Sequence, residues 1–323
     1  MTNTFRLPSP IQKLEHPLFR QQQLDVFIKR DDQIHPFVSG NKWRKLKYNL
    51  QAAQDQQAST LLTLGGAFSN HIAATAVAGS LFDFQTVGII RGEILLPLNP
   101  TLQLAVDHGM KLYRVSRKDF RERDRLSLAK ELVQEDFYFL PEGGTNELAV
   151  KGCAELVAET QQQLAGTLPD YFCTCCGTGG TLAGIVQGLG GRSQAIGVAA
   201  LKGNFLGQEV QRLLHQKANQ SNSQKQKSPA SGDEPSYKNW QIFNDYHFGG
   251  YAKFQPALIR FINQFKSAQQ IPLDPIYTGK LFYAIFDLIE QAFFPPKSRI
   301  LIVHTGGLQG VQGFNQRFGN LIV

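Results

Sequence analysis

A lysine near the start of a predicted helix has the position of an amine nucleophile. Residues 39–46 begin a helix whose apolar side chains are Trp43, Leu46 and Leu50. Lys42 then lies in the first turn, where the helix dipole favours the neutral amine by about 0.3–1 kcal/mol. A neutral amine attacks carbonyl carbons, so Lys42 is a candidate nucleophile. An ordinary surface lysine is the alternative.

A glycine-rich loop suits a phosphate group. Gly177, Thr178, Gly179, Gly180 and Thr181 follow one predicted strand and begin the next predicted helix. Backbone N–H groups at a helix start, with no Cβ in the way, can bind phosphate. The loop matches neither the G-x-G-x-x-G nor the G-x-x-x-x-G-K-[ST] pattern, which disfavours a nucleotide.

Three polar residues follow the glycine pair 65–66. Ser69 or Asn70 can cap the next helix through its side-chain oxygen. The same hydroxyl, amide and N–H groups can also bind a carboxylate or a phenolic oxygen, so both interpretations stay open. His71 has no metal-ligating partner at i+4, and no metal is predicted.

Short strands that alternate with helices position these residues. Strands are predicted at 61–64, 86–90, 111–115, 137–140, 171–174, 196–201 and 300–303, and helices include 71–80 and 120–134. This alternation indicates an α/β fold with parallel sheets covered by helices. Gly-Gly occurs six times, and four pairs follow predicted strands. In α/β sheets ligands bind beyond the carboxyl ends of strands, so these turns outline a candidate site.

Composition excludes several classes of protein. The 323 residues carry a net charge of +7, but the basic residues are mixed with acidic ones, as in 118–125, and read as a solvated helix face. No nucleic-acid motif or membrane-spanning segment is found, so neither partner is expected. Three of the four cysteines, Cys173, Cys175 and Cys176, are crowded, which favours reduced thiols and a cytoplasmic protein. Residues 216–238 are polar without apolar period and predict a surface insertion.

Taken together, the motifs resemble those of one family of pyridoxal-phosphate enzymes. The chain resembles fold-type II, tryptophan synthase β-like enzymes, in the branch of 1-aminocyclopropane-1-carboxylate (ACC) deaminase and D-cysteine desulfhydrase. The matching segments, in order, are 28–32, 40–42, 65–66 with 69–71, 142–144, 177–181, 274–280 and 304–307. Each motif is weak alone, but their order is specific.

The resemblance implies a role for each candidate residue. Lys42 would bind pyridoxal 5'-phosphate as a Schiff base and move the substrate α-proton, and the loop 177–181 would bind the cofactor phosphate. Asn70 would contact the 3′-oxygen of the ring. Ser69, Asn70 and His71 would receive the substrate carboxylate. Tyr251 and Tyr277 match the two active-site tyrosines of the family.

Two threonines indicate the subtype. In the ACC deaminases of the family, Glu follows the tyrosine of the Y-x-G-K motif and the last motif reads H-L-G-G, whereas here the residues are Thr278 and Thr305. Thr305 would offer a neutral hydroxyl to the pyridine nitrogen, and a hydroxyl holds a ring proton less well than a carboxylate does. This pattern favours expulsion of a β-leaving group over opening of a cyclopropane.

We therefore expect a two-domain homodimeric enzyme. The large cofactor domain would comprise 1–46 and 151–323 and the small domain 47–150, with the cofactor in the cleft. The expected reaction is β-elimination from a small amino acid, with D-cysteine as the leading substrate and pyruvate, ammonia and sulfide as products. ACC deaminase is the main alternative, and racemase or dehydratase activity is also open. An alternative of another class is a cofactor-binding protein with little catalysis.

Overall fold

The strands form two separate sheets. A computed structural model describes residues 5–223 and 237–323, with side chains up to residue 215 before the gap. The strands of that part are β1 (Ile11–Leu14), β2 (Asp25–Lys29), β3 (Thr60–Gly66), β4 (Gln85–Arg91), β5 (Lys111–Val115), β6 (Tyr138–Leu140), β7 (Tyr171–Cys176), β8 (Gln194–Ala199), β9 (Trp240–Phe243) and β10 (Arg299–Val303).

Helices connect most of these strands. They are α1 (Pro17–Gln21), α2 (Asn41–Asp55), α3 (Asn70–Leu81), α4 (Pro100–Asp107), α5 (Arg117–Glu122), α6 (Arg125–Leu132), α7 (Glu147–Gln163), α8 (Gly180–Leu189), α9 (Phe205–Ser223), α10 (Pro256–Gln269), α11 (Thr278–Glu290) and α12 (Gln309–Phe318). Short 3₁₀ turns lie at Asp31–Gln33, Glu142–Gly144 and Asp245–His247.

The chain divides into two compact units. The first takes Asp31–Thr145 and Thr305–Val323 with the segment that ends at Ser9, and the second takes Pro10–Arg30 and Asn146–His304. This division gives residues 31–46 and 305–323 to the same unit as 47–145, because the start of α2 packs on the turn after β10. The domain boundaries drawn from the sequence divide the chain differently and stay a prediction.

The first unit is built on a parallel four-stranded sheet in the order β5-β4-β3-β6. Helix α3 packs on β3 through a core that includes Leu61, Ala74 and Val77. Nine of the residues of α3 are buried, since its small side chains let neighbouring elements approach from several sides. The carboxyl end of β3 leads directly into Ser69 and α3.

The second unit contains a six-stranded sheet in the order β1-β2-β10-β7-β8-β9. Only the β1–β2 pair, among the strands described, is antiparallel. The core on one side joins Phe172 of β7 and Leu301 of β10 to Leu182 and Ile185 of α8. The predicted α/β class with parallel sheets and covering helices is confirmed.

Each strand predicted from the sequence overlaps an observed strand, but one predicted helix is wrong. Residues 120–134 form parts of α5 and α6, with Arg123 in extended backbone between them. The Asp124 side chain accepts a hydrogen bond from the Ser127 backbone N–H at 2.8 Å and caps a new helix there. The charged run 118–125 therefore spans a helix break rather than one helix face.

The predicted polar insertion at 216–238 lies largely outside the described residues. Its first part, up to Ser223, continues α9, so that part is helical. No helix in the described part of the chain combines the length and the apolar character that a membrane crossing needs.

Candidate active site

A glycine with unusual backbone angles places Lys42. Gly40, the residue before α2, has φ +60° and ψ −139°, and a Cβ there would overlap the carbonyl oxygen of Thr305. The same carbonyl accepts a hydrogen bond from the Asn41 N–H at 3.3 Å. Glycine alone allows this approach. The turn that carries Lys42 therefore lies against Thr305, so the structure brings these two predicted site residues together in the first unit.

A buried ion pair fixes the same helical turn. The Arg44 guanidinium donates two hydrogen bonds to the Asp31 carboxylate, at 2.6 and 2.7 Å, and the Ser9 hydroxyl donates a third at 2.6 Å. The Asp31 carbonyl also accepts from the Gly40 N–H at 2.8 Å. A bidentate, buried pair restricts both partners in angle as well as distance. Arg44 and Asp31 thus hold the first turn of α2 in place.

Two lysines converge on one backbone carbonyl. Lys42 Nζ donates to the Gly143 oxygen at 3.4 Å, and Lys45 Nζ donates to it at 3.2 Å and to Thr145 Oγ1 at 2.8 Å. Lys45 is buried, whereas Lys42 is partly exposed. Lys42 is thus the more accessible of the two amines.

His71 is a buried imidazole with no hydrogen-bond partner. Its side chain is 1% exposed, and among the described residues neither ring nitrogen has a partner. Burial, together with the charges of Lys42 and Lys45, lowers the pKa of His71 well below its usual value, so the ring is neutral at pH 7. Buried polar groups are ordinarily paired. The unpaired nitrogens of His71, close to Lys42, are therefore consistent with a ring that hydrogen-bonds to a ligand.

Ser69 caps α3 as one of the sequence interpretations predicts. Its Oγ accepts hydrogen bonds from the N–H groups of His71 at 3.2 Å and Ile72 at 3.4 Å. As an acceptor in the cap it retains its own hydroxyl proton as a donor. Ser69 and Asn70 are both partly exposed, so both side chains can reach a ligand.

In the second unit, the loop 177–181 forms the start of α8. Gly179 precedes the helix with φ +77°, and no side chain caps it. A Cβ on Gly179 would come within 2.9 Å of Val210 Cγ2, so glycine is required there. An uncapped helix start with glycine at positions 177, 179 and 180 fits a phosphate group.

The two predicted tyrosines lie together near this loop. The rings of Tyr251 and Tyr277 meet edge to face, with centroids 6.3 Å apart and an interplanar angle of 66°. A Cβ on Gly177 would lie 3.2 Å from Tyr277 Cε1, so the Tyr277 ring stands over the start of the loop. Burial, with Tyr251 and Asp274 as further causes, raises the pKa of Tyr277 well above its usual value. Tyr277 is therefore a protonated phenol at neutral pH.

The sequence interpretation gave no role to Asp274 or Lys280. Asp274 Oδ1 accepts from the N–H groups of Ile276 and Tyr277 at 2.8 Å each, and Oδ2 accepts from Thr278 N at 2.9 Å and Thr278 Oγ1 at 2.6 Å. The Thr278 hydroxyl is thus bound to this carboxylate. Asp274 followed by Pro275 is a turn signal that could have identified this arrangement.

The cysteines are packed in the interior. Cys153, Cys173, Cys175 and Cys176 are buried thiols, and burial raises the pKa of Cys173. Thiols of this kind are inert. Across residues 5–223 and 237–323, no group of three His, Cys, Asp or Glu side chains is arranged to hold a metal ion.

Comparison with known proteins decides the family. A family model described as "Pyridoxal-phosphate dependent enzyme" matches residues 4–306. The chain belongs to this family. Its cofactor is therefore pyridoxal phosphate, and the predicted tryptophan synthase β-like fold and the resemblance to the ACC deaminase and D-cysteine desulfhydrase branch are confirmed.

Relatives match along nearly the whole chain. A bifunctional D-cysteine desulfhydrase/ACC deaminase of Arabidopsis thaliana is 30% identical, over 94% of this chain and 77% of the relative. A D-cysteine desulfhydrase of Klebsiella pneumoniae is 28% identical, over 93% and 92%. A solved structure of an ACC deaminase homologue superposes with a TM-score of 0.80 at 26% identity, covering 99% of this chain and 95% of the other.

The described residues fit the family cofactor. The bare start of α8 suits its phosphate, the partly exposed Lys42 amine suits its aldehyde, and the His71 ring is a buried donor without a partner. These are groups of the types that this cofactor binds.

Proposed function

We propose that this enzyme eliminates the thiol group of D-cysteine. D-cysteine and water would give pyruvate, ammonia and sulfide. The observation that carries the proposal is that Thr278 and Thr305 stand where a carboxylate would hold the ring proton. Thr305 has a hydroxyl, and the Thr278 hydroxyl is bound to Asp274, so neither position offers a carboxylate to the pyridine nitrogen. The Klebsiella and Arabidopsis relatives support the proposal, since both are named for D-cysteine desulfhydrase activity.

The proposal assigns the cofactor contacts to residues of this chain. Lys42 Nζ would hold the aldehyde carbon, the N–H groups of residues 177–181 the phosphate, Asn70 the ring 3′-oxygen and Thr305 the ring nitrogen. Bound pyridoxal phosphate supplies an electron sink that stabilises negative charge on the α-carbon of an amino acid. The protein's share is to orient the substrate and move protons.

Substrate binding falls to the start of α3. The Ser69 hydroxyl keeps a proton while its oxygen caps the helix, so it can donate to the substrate carboxylate. The neutral His71 ring has one N–H donor, and Asn70 adds an amide donor. An anionic carboxylate also benefits from the positive end of α3.

An amine and a phenol would serve the reaction in different ways. Lys42 Nζ would accept the proton of the substrate α-carbon. Tyr277 Oη would donate a hydrogen bond to the departing sulfur, because its raised pKa keeps the phenol protonated. Tyr251 contacts the Tyr277 ring and would orient the phenol.

ACC deaminase is the second candidate. It is supported by the two activities in the name of the Arabidopsis relative and by the superposed ACC deaminase homologue. Opening a cyclopropane makes a greater demand on the electron sink, and a threonine hydroxyl supports a ring proton weakly. We therefore place it behind D-cysteine elimination.

Pyruvate release from D-cysteine and from ACC, measured in parallel on the cofactor-loaded protein, tests the proposal. We expect turnover of D-cysteine and little of ACC. Lys42→Ala should lose the visible absorbance of bound cofactor and lower turnover by at least about 10³-fold, since the amine moves the proton. Lys47→Ala, on the same helix, should retain both. Turnover of ACC alone would overturn the substrate, and a colourless wild type would overturn the assignment of Lys42.

We also propose that the protein is a cytoplasmic homodimer. The four buried cysteine thiols support a reducing compartment, and the family resemblance supports the dimer. Light scattering should give twice the chain mass of 36.0 kDa. Cell fractionation should place the protein with cytoplasmic markers.

A further inference from the structure

Lys280 is a fully buried ammonium group whose partners are backbone carbonyls. Its Nζ donates to the oxygens of Ala200 at 3.1 Å, His247 at 2.8 Å and Gly250 at 2.8 Å. Its side chain is 0% exposed. An ammonium has three protons, and each of them is used here. The group therefore ties the end of β8 to the segment 247–250.

A second buried lysine in the same unit shows a different arrangement. Lys29 is also 0% exposed, but its Nζ bonds the side chains of Glu159 and Gln163 on α7, each at 2.5 Å. A carboxylate there compensates the charge between two regular elements. Lys280 instead places two of its three hydrogen bonds on the loop segment 247–250, which begins at the last residue of the 3₁₀ turn Asp245–His247 and precedes Tyr251.

That loop carries one of the two tyrosines. Tyr251 directly follows Gly250, and Gly249 and Gly250 both have positive φ, at +99° and +117°. Glycine pairs of this kind leave the backbone many alternative conformations. The Tyr251 side chain is 41% exposed, so packing alone holds it weakly. The Lys280 hydrogen bonds to His247 and Gly250 restrict the backbone that leads to Tyr251.

The same short motif holds the other tyrosine. Asp274 accepts from the Tyr277 N–H, and Lys280 follows three residues later, one turn into α11. The stretch 274–280 therefore provides one group that fixes Tyr277 and another that holds the loop before Tyr251. The edge-to-face contact between the two rings depends on both.

We infer that Lys280 is a positioning residue that fixes the 247–250 loop and, through it, sets Tyr251 against Tyr277. The inference rests on the proposed function for its kinetic consequence, because the phenols matter only if they serve the reaction. It concerns the second unit alone. Its structural part can be measured without turnover.

Amide hydrogen exchange on Lys280→Met tests the structural part. The Gly249 N–H donates to His247 Nδ1 and the Gly250 N–H to the His247 carbonyl, so both amides report on the loop. We expect both to exchange about tenfold faster or more, since one lost charge-assisted hydrogen bond is worth roughly that factor. Amides of β7 should be unchanged. The visible absorbance of bound cofactor should also persist.

Lys29→Met is the matched control, because it also removes a buried ammonium from the second unit. It should leave exchange at Gly249 and Gly250 unchanged. With D-cysteine, Lys280→Met should lower kcat about 10- to 100-fold with KM within about twofold, since Ser69 and His71 still bind the carboxylate. Lys29→Met should keep kcat.

Unchanged exchange at Gly249 and Gly250 in Lys280→Met would overturn the inference, and so would an equal acceleration in Lys29→Met. If Lys280→Met does not fold, Lys280→Gln retains two N–H donors and should accelerate the same two amides by a smaller factor. Unchanged exchange in that variant would also overturn it. A wild type that makes no pyruvate contradicts the proposed function instead, and the exchange data then decide this inference alone.

Discussion

Two buried polar sites, one in each unit, differ in how completely their polar atoms are paired. In the first unit, His71 is 1% exposed and, among the described residues, neither of its ring nitrogens has a partner. In the second unit, Asp274 accepts four hydrogen bonds and Lys280 donates three. The first arrangement costs stability and the second contributes rigidity.

This difference indicates that the two sites have different roles. An unpaired buried donor or acceptor costs about 1–3 kcal/mol, so it persists where it has another use. A fully paired network fixes the position of whatever its backbone carries. The first unit thus holds groups suited to meet a substrate, and the second holds a support for its tyrosines.

The largest expected effect comes from breaking the turn that carries Lys42. Gly40→Ala adds a Cβ at φ +60° that overlaps the Thr305 carbonyl. Backbone strain costs about 1–3 kcal/mol, and forced overlap costs a similar amount, so we expect a loss of about 4 kcal/mol in the free energy of unfolding. Urea unfolding measures it.

Gly109→Ala is the control for strain without overlap. Gly109 also has positive φ, at +80°, but no atom lies within 4 Å of an added Cβ. It should cost only about 1 kcal/mol. Equal losses of unfolding free energy in Gly40→Ala and Gly109→Ala would show that overlap with the Thr305 carbonyl does not destabilise the turn.

The sequence predicted the parts of the site that depend on local pattern. Apolar runs predicted the strands, and the helical period put Lys42 in the first turn of α2. The polar pair Ser69 and Asn70 before an alanine-rich helix predicted a capping side chain, without deciding between the two. These features are decided within a few residues, so one sequence suffices to find them.

Other features depend on segments that are distant in the chain. The carbonyl partners of Lys280 come from three places, residues 200, 247 and 250, and no spacing rule links them to position 280. The break at Arg123 and Asp124 was missed for a different reason. An acidic residue within a charged run looks like a solvated face unless its capping hydrogen bond is seen.

The second unit should become more stable at alkaline pH through Lys280. Burial lowers the pKa of Lys280 to about 8, although Asp274 opposes the shift, whereas the unfolded value is 10.5. Between these values the unfolded chain binds more protons than the folded one, so the free energy of unfolding rises with pH in that window. The total gain is on the order of 3 kcal/mol.

Comparison with Lys280→Met isolates this contribution. Asp274 and His247, which lie near the ammonium, are present in both proteins. The difference in the free energy of unfolding between wild type and Lys280→Met should therefore rise between pH 8 and 10.5 and stay constant below pH 8. If the free energies of unfolding of the two proteins change in parallel over the whole pH range, Lys280 is not a buried cation. The comparison with His71 would then no longer hold.

The smallest expected effect is a gain in stability on mutation, and it tests the unpaired ring of His71. His71→Leu removes the unpaired ring and keeps a similar volume, so it should raise the free energy of unfolding by about 1 kcal/mol at pH 7. The folded pKa of His71 lies well below 6.5, so the unfolded chain alone takes up this proton as pH falls below 6.5. Wild type should then lose stability that His71→Leu retains.

His71→Leu should be more stable than wild type but less efficient with D-cysteine. Loss of the ring N–H should raise the KM for D-cysteine about tenfold, because the substrate carboxylate loses one hydrogen-bond donor. Chemical denaturation at pH 7 and pH 5, combined with steady-state kinetics, measures both effects on one preparation. A destabilised variant with normal KM would show that His71 is an ordinary core residue and that its ring does not meet the substrate.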